Sequence, residues 1–345
     1  MSAFRIAAMS FLFAIALTLP VSDLAARQKS TAGKSEKKSA TSEKSDKKGA
    51  TPAPAATGQK GTPATTGVQE LKLPTADNWL IHATYYASTE GKESPVVILL
   101  TATEGPDKKD ARNRRIWQTT ALSLQKNGFA VISVDLRKHG DTVPPTTGAE
   151  PPVLKMAQND YALMASVDLE VVKAFLMNEH KSQKLNIRKL GIVSMGSSCM
   201  VAAGFAVADH AKTPFPDAPT LESRTPRGQD VQALIMYSPN TMVKGINANV
   251  LKVLKPLPIA IHVVASKDNK DDAKNAEKVF KAVDLKDEQY KDFRKSTMVP
   301  GEVRSEAFLE GKFADVTNRE IVDFLTTNLK SLNSPWVSRF NRLEN

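Results

Sequence analysis

Cysteine is nearly absent from this sequence, which has only Cys199 among its 345 residues. A single thiol excludes a disulfide within the chain, so a folded domain must be held together by burial of apolar surface. Cys199 opens an apolar helical pattern and is expected to be a small buried residue rather than a nucleophile. Paired cysteines are missing and no two histidines stand at ligand spacing, so we expect neither a metal nor a cofactor.

Large apolar residues are absent from Arg27 to Gly67, which contains no Leu, Ile, Val, Phe, Tyr or Trp. Such a segment cannot bury enough surface to offset the entropy cost of ordering its backbone. We therefore predict a disordered linker over 27–68, rich in Lys, Ser, Thr, Ala and Pro. Nine basic and three acidic residues between 27 and 67 give it most of the chain's net charge of +10.

The basic charge of the linker bears on possible partners. A nucleic-acid binder needs its basic residues on a folded face or groove, so we expect no nucleic-acid partner. A solvated spacer and weak adhesion to an anionic envelope polymer are the two interpretations that remain.

The first residues have the layout of a secretory signal peptide, which we predict over 1–26. Arg5 precedes an apolar run from Ile6 to Val21, and Ala25-Ala26 offers a cleavage site. The run is about 16 residues long, whereas a membrane-spanning helix needs roughly 20, so an uncleaved anchor is the weaker alternative. We expect an exported protein, periplasmic, in the cell envelope or extracellular, without a stable membrane span after cleavage.

Beyond the linker, short β-branched runs alternate with stretches of helical spacing. Val96–Leu100 has no polar alternation, which is typical of a strand buried on both faces. Residues 69–73 and 79–86 are predicted to form an initial hairpin. The other predicted strands are 129–134, 189–193, 231–236, 259–265 and 295–299, and the predicted helices are 115–126, 167–180, 199–209, 272–283 and 318–332. This order predicts an α/β fold, a three-layer α/β/α sandwich with a mostly parallel, doubly wound sheet.

The segment after the fourth strand carries a family resemblance. Asp135 to Gly140, with Lys138-His139 at its centre, is similar to the D-x-R-G-x-G stretch of α/β-hydrolases. Together with the order of elements, it makes the chain resemble the α/β-hydrolase superfamily over about 69–333, which leaves 334–345 as a C-terminal tail. That motif is structural rather than catalytic in the family, so it supports the fold.

The resemblance implies a nucleophile elbow, G-x-S-x-G, at the turn from the strand 189–193 into the next helix. With Leu190–Val193 as the strand, the elbow reads Ser194-Met195-Gly196-Ser197-Ser198. Gly196, which has no side chain, then occupies the nucleophile position. A shift of two residues puts Ser198 there instead, but places Met200 where the family has a small residue. The sequence favours the first register and leaves the second open.

The resemblance also implies an acid, a histidine and an oxyanion loop. Asp268 stands at the acid position, although a solvated loop or a helix N-cap explains it equally well. No histidine follows His262, which lies within a predicted strand as a core histidine would, and Arg304 is nearest to the histidine position. The oxyanion loop begins with Thr101-Ala102, and Glu104 beside it would oppose a developing negative charge.

A triad that lacks one member loses several orders of magnitude in rate. We therefore expect an exported protein of α/β-hydrolase fold that is catalytically degenerate and binds a small ligand or an envelope polymer. The alternative is an active serine hydrolase, esterase- or peptidase-like, that uses Ser198 with Asp268. A pocket is expected over the C-terminal strand ends, and 212–229, rich in proline and charge, is a candidate for its edge.

Overall fold

The strand order combines an antiparallel start with a run of parallel crossovers. The computed structural model describes residues 67–103, 113–144, 156–247 and 249–343. Eight strands form one sheet in the order β1-β2-β4-β3-β5-β6-β7-β8. Strand β2 is antiparallel to β1 and β4, and every other neighbouring pair is parallel. The mostly parallel α/β sheet predicted from the sequence is confirmed, whereas the predicted signal peptide and the linker up to residue 66 lie outside the described residues.

The bounds of the strands and helices follow the predicted order. The strands are β1 Val68–Pro74, β2 Leu80–Tyr86, β3 Val96–Leu100, β4 Ala130–Asp135, β5 Leu190–Met195, β6 Val231–Tyr237, β7 Ala260–Ser266 and β8 Arg294–Val299. The α-helices are α1 Gln118–Lys126, α2 Asp160–Leu163, α3 Leu169–Lys181, α4 Ser198–His210, α5 Val250–Leu254, α6 Lys270–Val283 and α7 Gly311–Leu325. The turns Met164–Asp168 before α3 and Thr326–Lys330 after α7 are π-helical.

The last helix begins seven residues before the predicted residue 318. Its first turns bury no large apolar side chain, and Val316 is 61% exposed, so the helical periodicity becomes visible only from Thr317 onward. Helices α2 and α5 were not predicted because each is too short to show an apolar period.

Helices cover both faces of the sheet. Leu176 of α3 and Phe205 of α4 belong to the core on one face, and Leu124 of α1 and Leu325 of α7 belong to the core on the other. In β5, a Cβ on Gly191 would lie 3.0 Å from a methyl group of Leu329, so glycine lets the π-helical turn after α7 approach the centre of the sheet. The predicted three layers are therefore present.

The turn after β4 is held by a buried carboxylate. Asp135 is fully buried and accepts hydrogen bonds from the backbone amides of Arg114 (2.6 Å) and Asp141 (3.0 Å), while the Arg114 guanidinium pairs with it. Lys138 and Gly140 have φ of 66° and 51°. A Cβ on Gly140 would lie 2.3 Å from the Asp135 carboxyl group, so only glycine fits there. This explains in physical terms why the structural motif ends in glycine.

The residues predicted as a C-terminal tail pack against the domain as far as they are described. Asn186 Nδ2 donates to the carbonyl of Ser334 (2.8 Å), and Trp336 Nε1 donates to the carbonyl of His180 (3.0 Å). Arg339 is 3% exposed and forms an ion pair with Asp230 at 2.8 Å. Residues 334–343 are thus part of the packed structure.

The segment 212–229 lies at a different edge from the predicted one. It follows the C-terminal end of α4 and leads into the start of β6, and Gln229 N donates to the carbonyl of Asp209. Parallel strands begin at this edge, so the segment cannot border a pocket over the C-terminal strand ends. No helix among the described residues is long and apolar enough to cross a membrane.

Candidate functional site

The turn between β5 and α4 has Gly196 at its tip. Its φ of 58° lies in the left-handed region, which glycine adopts without steric cost. Gly196 N donates to the carbonyl of Tyr237 (2.9 Å), and its own carbonyl accepts from Asn240 N (3.2 Å), so the tip is tied to the end of β6. This is the backbone geometry that the first register requires of a nucleophile position. A glycine there offers no group that could attack a substrate.

Ser198 is the first residue of α4 and is fully buried. Its Oγ donates to the carbonyl of Met195 at 2.7 Å and accepts from the amide of the same residue at 3.1 Å. The hydroxyl therefore stabilises the turn through two hydrogen bonds, and its proton is donated to a backbone carbonyl. The shifted register finds no support in this arrangement.

The other small polar residues near the tip also bond to neighbouring parts of the chain. Ser194 lies in β5 and donates from Oγ to the carbonyl of Ile235 at 3.2 Å. Ser197 is 2% exposed, and its Oγ accepts from Asn240 Nδ2 at 3.1 Å. Cys199 is buried, with Sγ 3.6 Å from the carbonyl of Tyr237. These bonds fix the turn against β6.

Asp268, the residue at the predicted acid position, is exposed after β7 and accepts from the amide of Gly301 at 2.6 Å. Within the described part of the chain it forms no hydrogen bond or ion pair with the residues of the turn at Gly196. It thus caps the loop after β8 and is not brought to the candidate nucleophile.

The buried carboxylate of this edge is Asp272, which the sequence did not single out. It is fully buried in the first turn of α6 and accepts from Ser266 N (2.7 Å) and from Ser238 Oγ (3.0 Å) through Oδ2. Burial raises the pKa of Asp272 above its usual range, although the amide of Ser266, the hydroxyl of Ser238 and the charge of Arg304 oppose the shift. Arg304 Nε lies 3.6 Å from Oδ1.

The loop after β8 places an arginine beside this carboxylate. Arg304 is the residue nearest to the histidine position that the resemblance implies, and it lies next to buried Asp272. A guanidinium keeps its proton at any ordinary pH and cannot accept one from a hydroxyl. Arg304 therefore cannot act as a general base.

The loop after β3 contributes a backbone amide that is already occupied. Ala102 N donates to Glu306 Oε1 at 2.9 Å, and Thr101 beside it is 3% exposed. A carboxylate of the chain itself therefore takes one of the donors that the resemblance assigns to the oxyanion loop. Glu104, also expected to disturb this loop, lies outside the described residues.

Two serines near Asp272 have strained backbones. Ser238 and Ser305 have φ of 47° and 46°, a region that costs a non-glycine residue about 1–2 kcal/mol. Ser305 N donates to Ser238 Oγ at 3.0 Å, and the same hydroxyl donates to Asp272. This cluster cannot be predicted from the sequence, because a single residue in the left-handed region produces no periodic pattern.

All five histidines lie in the described part of the chain, and the rings of four of them bond to other parts of it. His262 in β7 is fully buried, with Nε2 at 2.9 Å from Thr297 Oγ1 and 3.3 Å from Glu320 Oε1. His139 has Nδ1 at 2.8 Å from the carbonyl of Arg137. The other three, His82, His180 and His210, lie in β2, in the last turn of α3 and at the end of α4. Among the described residues, no imidazole bonds to a hydroxyl of the turn.

Comparison with solved structures identifies the architecture. The Pyrococcus furiosus esterase Pf2001 matches with a TM-score of 0.51 and 12% identity over 80% of this chain and 97% of that one. DcsB in complex with its substrate analogue and the α/β hydrolase GrgF from Penicillium sp. sh18 each match with a TM-score of 0.50 and 12% identity, over 76% of this chain and 99% of theirs. The chain has an α/β-hydrolase-like fold.

No family model and no curated protein matches this chain. The resemblance predicted from the sequence is confirmed for the fold, and identities this low carry nothing further. In this hydrolase-like fold, the contacts of Gly196 with Asn240 and of Ala102 with Glu306 bring four loops together at the carboxyl edge. Gly196, Arg304 and Glu306 therefore lie in loops of the same edge of the sheet.

Proposed function

We propose that this protein is an exported, catalytically degenerate α/β-hydrolase-fold protein that acts by binding rather than by hydrolysis. The observation that carries the proposal is the left-handed backbone of Gly196 at the tip of the turn after β5. In an active serine hydrolase, the nucleophile occupies this strained position so that its side chain projects into the site. A glycine keeps the turn and removes the nucleophile.

The surroundings of Gly196 support the same conclusion. Arg304 stands opposite the buried Asp272, and a guanidinium cannot serve as the general base. Glu306 holds the amide of Ala102, where a reacting carbonyl would have to bind. The members of a triad work as a unit, so restoring the nucleophile alone would not restore activity while the general base is missing.

The ligand follows from the architecture and the proposed export. A small molecule could lie over the C-terminal strand ends, where proteins with open α/β sheets commonly bind ligands. An anionic envelope polymer would contact the basic linker between residues 27 and 67, where most of the net charge lies. Loss of salt-sensitive surface adhesion on deletion of 27–67 would support the second partner, and unchanged adhesion would contradict it.

Labelling with a fluorophosphonate probe tests the central claim, since such probes react only with an activated serine. We expect no labelling of the purified full chain under conditions that label an active serine hydrolase in the same tube. A cooperative unfolding transition of the same sample establishes that it is folded.

The variant Ser198→Ala separates the possible outcomes. Labelling that disappears in this variant would establish the alternative, an active hydrolase in the shifted register. Labelling that persists in it would also refute the degenerate interpretation, with a different serine as the nucleophile. The first result would require the Ser198 hydroxyl to leave its hydrogen bonds with the backbone of Met195.

Export is tested separately by cell fractionation. We expect the full chain outside the cytoplasm and a variant without residues 1–26 inside it. Retention of both forms in the cytoplasm would overturn the export part of the proposal and leave the binding part untouched.

A further inference from the structure

A cleft of about 240 Å³ lies at the amino-terminal edge of the sheet, away from the turn at Gly196. We refer to it as the amino-edge cleft. It lies between α3, the segment 212–229 and the C-terminal stretch near Arg339. Five basic side chains, one acidic side chain and four apolar residues line it. Its charges fall into two groups, one neutralised within the protein and one not.

Three of the five cations are matched by carboxylates. Buried Lys173 pairs with Asp209 and, at 2.6 Å, with Asp230, which also binds Arg339 at 2.8 Å. Burial disfavours the charged form of Lys173, but the two aspartates outweigh it and raise the pKa of the ammonium group. The charges of Lys173 and Arg339 are therefore balanced by Asp209 and Asp230 within the protein.

The third matched cation is Lys212, which also lines the cleft. Its Nζ bonds to both carboxylate oxygens of Glu170, at 2.6 and 2.7 Å. Glu170 is the single acidic residue that lines the cleft, so no lining carboxylate is left to neutralise the remaining cations.

The remaining cations, Lys181 and Arg227, have no carboxylate within 4 Å in the described part of the chain. Each lies over an aromatic ring instead. Lys181 Nζ is 5.1 Å from the ring centre of Phe340, and Arg227 Cζ is 5.1 Å from that of Phe215. Cation–π contacts position these groups without cancelling their charge. The cleft therefore has an excess of two positive charges beside apolar surface.

We propose that the amino-edge cleft binds a small molecule in which a phosphate monoester is joined to an apolar or aromatic group. A phosphate monoester carries about −1.5 to −2 charges at pH 7, which matches the excess. The planar guanidinium of Arg227 can bind two phosphate oxygens at once. Met177, Phe215 and Pro226 supply the apolar wall. The volume is below the roughly 300 Å³ at which pockets for drug-sized ligands begin, so the ligand is compact.

Titration calorimetry of the full chain with phenyl phosphate at low ionic strength tests this proposal. Inorganic phosphate and phenol serve as probes of the two halves of the ligand. We expect phenyl phosphate to bind more tightly than either, because neither half engages both the cations and the apolar wall.

Substitutions at the two unpaired cations give the expected changes in affinity. Arg227→Gln and Lys181→Gln should each weaken phenyl phosphate binding about tenfold, the equivalent of about 1.4 kcal/mol. Arg227→Lys should recover only part of the loss, because it restores the charge without the planar fork. Lys278→Gln on α6, an exposed residue outside the cleft, is the matched control and should bind like the wild type.

Three results would overturn the proposal. One is unchanged affinity in Arg227→Gln, and another is equal affinity for inorganic phosphate and phenyl phosphate. The third is a competition result in which poly-glutamate binds more tightly than phenyl phosphate at the same concentration of negative charge. That result would assign the cleft to an anionic polymer. None of these results depends on fluorophosphonate labelling, so the cleft and the hydrolase site are judged independently.

Discussion

Two turns at the carboxyl edge of the same sheet can be compared directly, the one after β4 and the one after β5. Both follow strands that are buried throughout, and both use the left-handed backbone region, at Lys138 and Gly140 in the first and at Gly196 in the second. The first turn is braced by charged side chains around Asp135. The second is braced by backbone amides and small hydroxyls, such as that of Ser198.

The difference separates what the fold needs from what a reaction needs. The sharp turn from β5 into α4 has its tip residue at positive φ, a conformation that does not depend on a reactive side chain. Gly196 adopts this conformation without a reactive group. The ion pairs after β4, by contrast, have no substitute in the backbone, because Asp135 is buried and needs its cation. The proposed loss of the nucleophile therefore leaves the backbone of the turn after β5 in place, whereas the motif after β4 depends on its ion pairs.

The largest expected effect is on the turn after β4, whose buried ion pairs depend on Arg114. Its guanidinium bonds to Asp135 and Glu70, to Asp141 at 2.8 Å and to Thr84 at 3.0 Å, and its side chain is 2% exposed. Arg114→Met leaves Asp135 buried without its cation, so we expect the free energy of unfolding to fall by about 3–5 kcal/mol. Urea unfolding followed by far-UV circular dichroism measures the change.

Arg115 is the matched control for this prediction. It also pairs with Asp141, at 2.7 Å, but its side chain is 60% exposed. Arg115→Met should cost less than about 1 kcal/mol, because solvent screens the exposed pair. Similar losses of unfolding free energy in Arg114→Met and Arg115→Met would mean that the buried ion pair contributes no more than the exposed one. The turn after β4 would then not depend on its buried charges.

The second turn is tested at Gly196. Gly196→Ala places a Cβ on a residue with φ of 58°, which should lower the free energy of unfolding by about 1–2 kcal/mol. Gly204→Ala in α4 is the control with the opposite expected sign. A Cβ on Gly204 would lie at an ordinary 3.6 Å from the Cβ of Ala165, so alanine should stabilise the helix by about 0.5–1 kcal/mol. Stabilisation by both substitutions would show that the turn is not strained.

Much of this architecture could be predicted because the strands of a buried parallel sheet appear in the sequence as uninterrupted apolar runs. The run Val96–Leu100 is β3 to the residue, and the strand predicted over 129–134 is β4 within one residue at each end. The sequence favours the register with Gly196 at the tip because that register continues directly from the strand before it, but it leaves the register with Ser198 open. These signals are local, and local patterns survive in a single sequence.

The rest of the candidate site depends on contacts between distant residues. The hydrogen bond from Ala102 to Glu306 joins positions 204 residues apart. Asp268 and Asp272 are both aspartates near the same strand end, and only burial distinguishes them. The strained backbone of Ser238 leaves no mark on composition or spacing. Such features become visible only when the chain has folded.

The smallest expected effect concerns the histidine that lies in the sheet instead of at the turn. Burial lowers the pKa of His262, although Glu320 opposes the shift and Lys295 adds to it. In the unfolded chain the imidazole takes up its proton near pH 6.5, whereas in the folded protein it stays neutral to lower pH. The contribution of His262 to stability is therefore present above about pH 6.5 and is lost as the pH falls through that value.

His262→Gln removes this proton uptake. The free energy of unfolding, measured with urea at about pH 7.5 and about pH 5.5, should fall less on acidification in the variant than in the wild type. Burial also lowers the pKa of His180, so the variant should keep part of the dependence. An unchanged pH dependence would mean that His262 has the same pKa in the folded and the unfolded chain. The contacts of its Nε2 with Thr297 and Glu320 would then offset the burial of the imidazole in β7.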